Sequence, residues 1–231
     1  MFKKRSYQLE RIDKGDYTAA EYDVCLSELR FINRWIGDTW ALKKTLLREI
    51  EEKNLPEFTV LDVGAGSGEL LREVAKFARK TGRKTKLTGL ELNELSANSI
   101  QTESQDFNEI SAVRGNAFSL PFADNSFDYT ICSLFTHHFT DEKVVEILRE
   151  LKRVSARGIF VIDLHRHSIA YGLYKAFCVA FRISNLVRED GSLSVLRGFK
   201  PNELKDLAQK ANLENISVER YFPFRLVLHA N

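Results

Sequence analysis

Cysteine is scarce here: Cys25, Cys132 and Cys178 are the only three, and they are scattered along the chain. That pattern excludes a disulfide-stapled scaffold, and the lack of any Cys-x-x-Cys pair or Cys/His cluster points away from a bound metal. Two of the three cysteines sit in apolar surroundings, which reads as reduced thiols in a cytoplasmic protein. Long apolar runs are missing as well. The most apolar later stretch, residues 169–183, is too short to cross a bilayer and contains Lys175. The basic start, Met1 to Ser6, runs into polar sequence instead of the apolar core of a signal peptide. Neither sign of charge dominates, the net being +2, so no global field draws nucleic acid or an anionic membrane. The basic run Arg79, Lys80, Arg83, Lys84 and Lys86 reads as the solvated end of a helix and its loop. No internal repeat or low-complexity segment interrupts the chain.

What is present is ample core material. Hydrophobic residues make up 44% of a 231-residue chain, enough for one large domain with or without an appendage. Residues 1–55 are charged and helical in pattern, with Leu26, Leu29, Ile32, Ile36, Leu42, Leu46 and Ile50 on the expected inner faces. They predict two or three helices, the last ended by Lys53-Asn54-Leu55 before Pro56. From residue 56 onward strands alternate with helices: strands at 59–63, 86–92, 110–115, 127–133 and 158–163, with helices at 69–80, 93–107 and 141–154 among them. A helical insert follows at about 165–200, then a helix at 201–211 and two strands, 216–221 and 224–229, joined through Phe222-Pro223. Such alternation predicts a doubly wound, mostly parallel α/β sheet whose last strand is antiparallel.

The segment Thr59 to Leu70 organises this domain. Its apolar strand suits a buried parallel position, and Leu70, Leu71, Val74, Ala75 and Ala78 resume at helical spacing just after it. Between them Gly64, Gly66 and Gly68 let the backbone turn sharply and approach a ligand, while the first amides of the helix remain as donors. A dinucleotide fingerprint would place its third glycine where Glu69 stands. The carboxylate of Asp62 also opposes a phosphate and suits a cationic ligand.

The run Asp62-Val63-Gly64-Ala65-Gly66-Ser67-Gly68 resembles the first motif of class I S-adenosylmethionine-dependent methyltransferases. Leu120 to Asp128, His137-His138-Phe139 and Leu148 to Val154 are similar to the ubiquinone/menaquinone-type branch acting on small molecules. The likeness covers residues 59–165. More loosely, Asp163-Leu164-His165-Arg166 and Asp190 to Ser194 resemble enzymes that tailor aromatic polyketides and quinones. The resemblance implies a Rossmann-like sheet of seven strands and S-adenosylmethionine as cofactor. It implies that Asp62, Gly64, Ala65, Gly66, Ser67 and Gly68 wrap the methionine part, with Ser133 and Leu134 beside it. Glu91, with Leu92, would accept the ribose hydroxyls. Asn116, with Ala117, stands where the family often has an aspartate for the adenine amino group; an amide oxygen accepts that bond without charge.

The sulfonium already carries its leaving group, so such a protein must mainly align a nucleophile and exclude water. A phenolic acceptor, with a pKa of about 10, would gain from a histidine base of about 6.5. His137 or His138, at the end of the fourth strand, is the candidate; the alternative is that one packs inward and the other caps the loop. Asp163, His165 and Arg166 end the fifth strand and either bind acceptor oxygens or pair structurally. Tyr171 lies in the insert, which with Tyr17, Tyr22, Trp35 and Trp40 of the N-terminal helices is expected to cover a flat, lipophilic acceptor or else to pack as core.

Two functions follow from these residues. One is methyl transfer to a small aromatic, polyketide or quinone-like acceptor, on oxygen or else on carbon. The other is a module that binds the cofactor but uses it for structure or regulation. A macromolecular acceptor is a third choice, and the protein is expected to be a monomer or homodimer.

Overall fold

The computed structural model describes residues 2–36 and 38–231, apart from the side chains of residues 19, 22, 23, 26, 30 and 33–36. The expectations placed on the side chains of Tyr22, Leu26, Trp35 and Ile36 lie outside the described residues. The chain begins with four helices, α1 (Arg11–Lys14), α2 (Ala19–Ile36), α3 (Thr39–Lys44) and α4 (Leu46–Glu52). Then come β1 (Glu57–Val63), α5 (Glu69–Thr81), β2 (Lys84–Glu91), α6 (Glu94–Glu103), β3 (Ile110–Arg114) and β4 (Phe127–Ser133). A single 3₁₀ turn, Thr136–His138, leads into α7 (Asp141–Val154) and β5 (Ser155–Leu164). The chain closes with α8 (Ser168–Ala180), α9 (Asn185–Arg197), α10 (Pro201–Lys210), β6 (Ser217–Tyr221) and β7 (Arg225–Ala230).

The seven strands form one sheet in the order β3-β2-β1-β4-β5-β7-β6. The first five are parallel, and β7 runs antiparallel to both β5 and β6. The order reverses between β1 and β4, whose contact begins at Val60 opposite Tyr129. A reversal of this kind opens a crevice beyond the carboxyl ends of the two strands, where ligands of open α/β sheets sit.

Each face of the sheet is covered by the apolar side of helices. Leu71, Val74, Ala75 and Ala78 of α5 and Leu42, Leu46 and Ile50 of α3 and α4 join Val60, Leu87 and Phe160 below one face. Val144, Leu148 and Leu151 of α7 and Leu204 and Ala208 of α10 join Leu61, Val161 and Leu228 on the other. A smaller cluster, Cys25, Ile32, Cys178, Ile183, Leu186 and Val187, joins α2 to α8 and α9. The N-terminal helices thus divide, α3 and α4 entering the main core and α2 packing on the insert.

Two expectations about apolar faces are corrected. The insert is two helices, and α8, apolar on nearly every side, is not enclosed: Ile169, Leu173, Val179 and Phe181 are exposed. Hydrophobicity all round marks burial only where another layer is available, and α2 with α9 covers one side only. Leu29, placed on an inner face by helical spacing, is exposed as well. Trp40 lies edge-on to Tyr221 at 5.6 Å, beside β6 at the far edge of the sheet. No helix among the described residues is long and apolar enough to cross a membrane.

Candidate functional site

The glycine turn sits at the mouth of the crevice. Gly64 donates its amide to Leu90 O at 2.9 Å, and Gly66 donates to Glu91 Oε1 at 2.6 Å, so the turn is tied to the end of β2. Gly64 has φ +73°, and a methyl group there would stand 2.7 Å from the Phe135 ring. Gly66, at φ +57°, would project a methyl group into open space. Its backbone therefore faces the crevice unobstructed.

Three carboxylates converge here. Asp62 is 2% exposed, and its Oδ1 has no hydrogen-bond partner. Burial, then the charges of Glu91 and Asp38, push its carboxyl up to about 8. Glu91 is also raised by burial, against the hydrogen bond from Gly66. Asp38, just before α3, accepts a 2.5 Å bond from Ser133 Oγ and an ion-paired bond from Arg225. Arg225 engages Asp38, while Asp62 keeps an orphaned oxygen. A cationic ligand would supply the missing partner, and the ammonium and sulfonium of S-adenosylmethionine meet that requirement where a pyrophosphate would not.

The remaining residues expected around a cofactor follow the same edge of the sheet. Asn116 is exposed just beyond β3, its side-chain oxygen accepting from Phe118 N at 3.0 Å. Ala117 is buried beside it, whereas Leu92 is 65% exposed. Leu134 follows Ser133 in the left-handed region, φ +48°, and donates its amide to Ile162 O. A non-glycine residue held there is costly and is retained where the surroundings fix it.

The 3₁₀ turn after β4 delivers a second polar centre. His137 Nδ1 lies 2.6 Å from Asp163 Oδ1, both side chains being buried. Asp163 Oδ2 also accepts from Thr136 Oγ1 at 2.5 Å and from the His137 amide at 3.1 Å. Burial alone would raise the Asp163 carboxyl, but the His137 ring and these hydrogen bonds hold it at about 2. The carbonyl oxygen of His137 accepts from Arg197 at 3.1 Å and Arg5 at 3.3 Å. Arg5 and Arg197 thereby fix the N-terminal segment and α9 over the turn. Asp190 contributes by accepting the Arg11 and Ile12 amides at 2.7 and 3.0 Å.

Arg166 is corrected. It is fully buried and donates to Gly198 O at 2.6 Å, Phe2 O at 3.2 Å and Glu203 Oε1 at 2.5 Å, leaving no face for a ligand and no bond to Asp163. His165 is buried beside His167, its ring kept neutral because burial and nearby Lys200 lower it to about 4. Tyr171 packs edge-on to Phe2 at 5.7 Å. It lines a groove of about 680 Å³ between the N-terminal segment and the insert, whose walls include neither the glycine turn nor His137. The His138 ring packs against His137 at a tilt of 34°, with ring centres 4.3 Å apart.

Asp38, Thr136 and Glu10, whose Oε2 lies 3.9 Å from His138 Nδ1, are site neighbours that sequence reasoning missed. Thr136 had a signal, being next to the two histidines. Asp38 and Glu10 come from the N-terminal helical region, and only tertiary packing brings them here.

A model described as a methyltransferase domain matches residues 60–158. The chain is 27% identical over 231 residues to a demethylmenaquinone methyltransferase of Bacillus cereus, covering 92% of this chain and 91% of the relative. Its fold resembles an S-adenosylmethionine-dependent methyltransferase from Aquifex aeolicus, with TM-score 0.58, 19% identity, and 80% and 87% of the two chains covered. It also resembles a magnesium protoporphyrin IX methyltransferase from Synechocystis with bound SAH, with TM-score 0.59, 15% identity and coverage of 84% and 83%. With the glycine turn, the sheet order and the carboxylate crevice in place, the chain is an S-adenosylmethionine-dependent methyltransferase, similar in sequence to quinone-type relatives.

Proposed function

We propose that this methyltransferase acts on a small aromatic or quinone-like acceptor bearing a ring hydroxyl, and that the hydroxyl oxygen takes the methyl group. The observation that carries this reading is the buried pair of His137 and Asp163. With Nδ1 engaged by Asp163, His137 has Nε2 left to receive the acceptor's proton. Asp163, ionised and held by Thr136, is a positioning residue that orients the ring and balances the charge it acquires. This arrangement suits a phenol, whose proton must leave for the oxygen to become a good nucleophile.

S-adenosylmethionine, when bound, supplies a methyl group activated on sulfur. In this reading Asp62 and Asp38 receive its cationic methionine end, the backbone of the Gly64–Gly68 turn lines it, Glu91 accepts the ribose hydroxyls, and Asn116 meets the adenine. Ser133, bonded to Asp38, and Leu134 precede the His137 turn along the chain, which in this reading sets acceptor oxygen and methyl group in line across the end of β4. A demethylmenaquinone methyltransferase at 27% identity favours a second reading, transfer to a ring carbon of a quinol. There the same proton uptake by His137 would raise the ring's nucleophilicity.

The test is to incubate the enzyme and cofactor with hydroxylated aromatics and reduced quinones, follow the demethylated cofactor, and locate the new methyl by nuclear magnetic resonance. A methyl on oxygen supports the first reading and a methyl on carbon the second. Turnover confined to protein or nucleic-acid acceptors would reject both.

A further inference from the structure

Glu10, His137 and His138 meet from distant parts of the chain. One ligating atom of each lies within 4.8 Å of those of the other two. Two of the three are withdrawn from solvent, Glu10 at 4% and His137 at 3% exposed, while the His138 side chain is 29% exposed. Because Asp163 takes His137 Nδ1, that ring offers Nε2, which has no hydrogen-bond partner among the described residues. His138 Nδ1 is buried with no hydrogen bond, although Asp13 Oδ1 is 3.4 Å and Glu10 Oε2 3.9 Å away.

A buried ring nitrogen without a partner, as at His138 Nδ1, is costly and asks for an occupant. The carboxylate behind His137 is the kind of support that fixes the tautomer and direction of a metal-bound imidazole. We infer that Glu10, His137 and His138 form a zinc site, with Asp13 beside it. Two imidazoles and one carboxylate match zinc's preference and leave a fourth position open. Zinc bonds of about 2.0–2.2 Å hold tetrahedral ligand atoms about 3.4 Å apart, so atoms lying within 4.8 Å of one another must draw together by at most about 1.4 Å. Glu10 would supply that movement by turning its carboxylate, whose Oε1 accepts from Ser194 Oγ at 2.8 Å and whose Oε2 faces His138. Arg197, 3.9 Å from Glu10 Oε1, and Arg5, which shares the His137 carbonyl oxygen with it, oppose a cation, while Glu10, Asp13 and Asp163 favour one.

One consequence rests on the reading given under Proposed function. Zinc on His137 Nε2 would take the lone pair needed for the acceptor's proton, so occupancy should inhibit methyl transfer. The site itself does not depend on that role.

The experiment titrates the chelator-treated, full-length enzyme with Zn²⁺ alone, by calorimetry and by equilibrium dialysis with metal analysis. One equivalent should bind, with Mg²⁺ failing to compete, since that ion prefers an all-oxygen shell. Glu10→Gln and His138→Gln should each weaken binding at least tenfold, whereas His167→Gln should not. Retained cofactor binding shows that the variants are folded. If Glu10→Gln does not fold, His138→Gln decides, together with the tetrahedral Co²⁺ spectrum of the unaltered enzyme, expected without thiolate charge transfer. No stoichiometric binding, or binding unchanged in His138→Gln, would overturn the site and leave the base role intact. Binding without inhibition of turnover would keep the site and reject His137 as base.

Discussion

The amide of Gly66 donates to Glu91 Oε1 at 2.6 Å, so the glycine turn and the end of β2, separated by a whole helix, are tied at the Glu91 carboxylate as well as at the Leu90 carbonyl. The bond presents the Gly66 backbone and the Glu91 carboxylate to the same small volume. Gly66→Ala tests this placement against Gly82→Ala at the end of α5. Both glycines have positive φ and neither is crowded, so each substitution should cost about 1–2 kcal/mol of stability from backbone strain alone. Only Gly66→Ala should also weaken cofactor binding, by tenfold or more, in calorimetry on the two folded variants. Equal affinities would remove the turn from the site.

Asp62 yields a prediction with opposite signs for the free and bound protein. Its carboxyl is raised to about 8 in the folded state, so the folded protein holds a proton there that the unfolded chain releases near pH 4. The stability linked to that proton is fully present below the unfolded value and is lost as pH rises toward 8. Asp62→Asn should therefore raise the melting temperature of the cofactor-free protein at pH 8.5 and change it little at pH 5. The same variant should bind the cationic cofactor more weakly. In the unaltered protein, affinity should rise between pH 6 and 8 with proton release on binding. A variant that loses stability at pH 8.5, or keeps full affinity, would contradict this account.

His137→Gln and Asp163→Asn should lower kcat by about 10²–10⁴-fold while cofactor affinity, measured by calorimetry, stays within a factor of about three. The two losses should not add, because Asp163 acts through the His137 ring. Fully additive losses, or undiminished kcat in His137→Gln, would separate the pair from the chemistry.

Arg166 should behave as part of the scaffold. Arg166→Ala leaves Gly198 O, Phe2 O and Glu203 without their buried donor, and a loss of about 2–5 kcal/mol is expected in denaturant unfolding. Folded variant at reduced temperature should keep its acceptor KM. A changed KM with unaltered stability would return Arg166 to the binding surface.

Local pattern made much of the fold legible. The buried run ending at Val63, the three glycines and the amphipathic α5 follow one another in sequence as they do in space, and α7 spans the expected residues Asp141–Val154. Direction at strand ends was harder to read. Asp163 and Arg166 are neighbours in sequence, yet residues three apart along an extended chain face opposite sides, and Arg166 turns to α10 while Asp163 meets His137. Contacts made by packing were not legible: Asp38 and Glu10 lie in charged helical sequence whose pattern gives no sign of the site. The exposed face of α8 escaped for a related reason, since apolar composition reports what could be covered and not which partner covers it.

The most direct measurement of the central claim is release of the demethylated cofactor by the purified enzyme, followed across small hydroxylated aromatics and reduced quinones, with His137→Gln in parallel. The account predicts turnover on at least one such small acceptor and a loss of about 10²-fold or more in the variant. Tight cofactor binding with no turnover on any of them, or equal turnover by the variant, would contradict it.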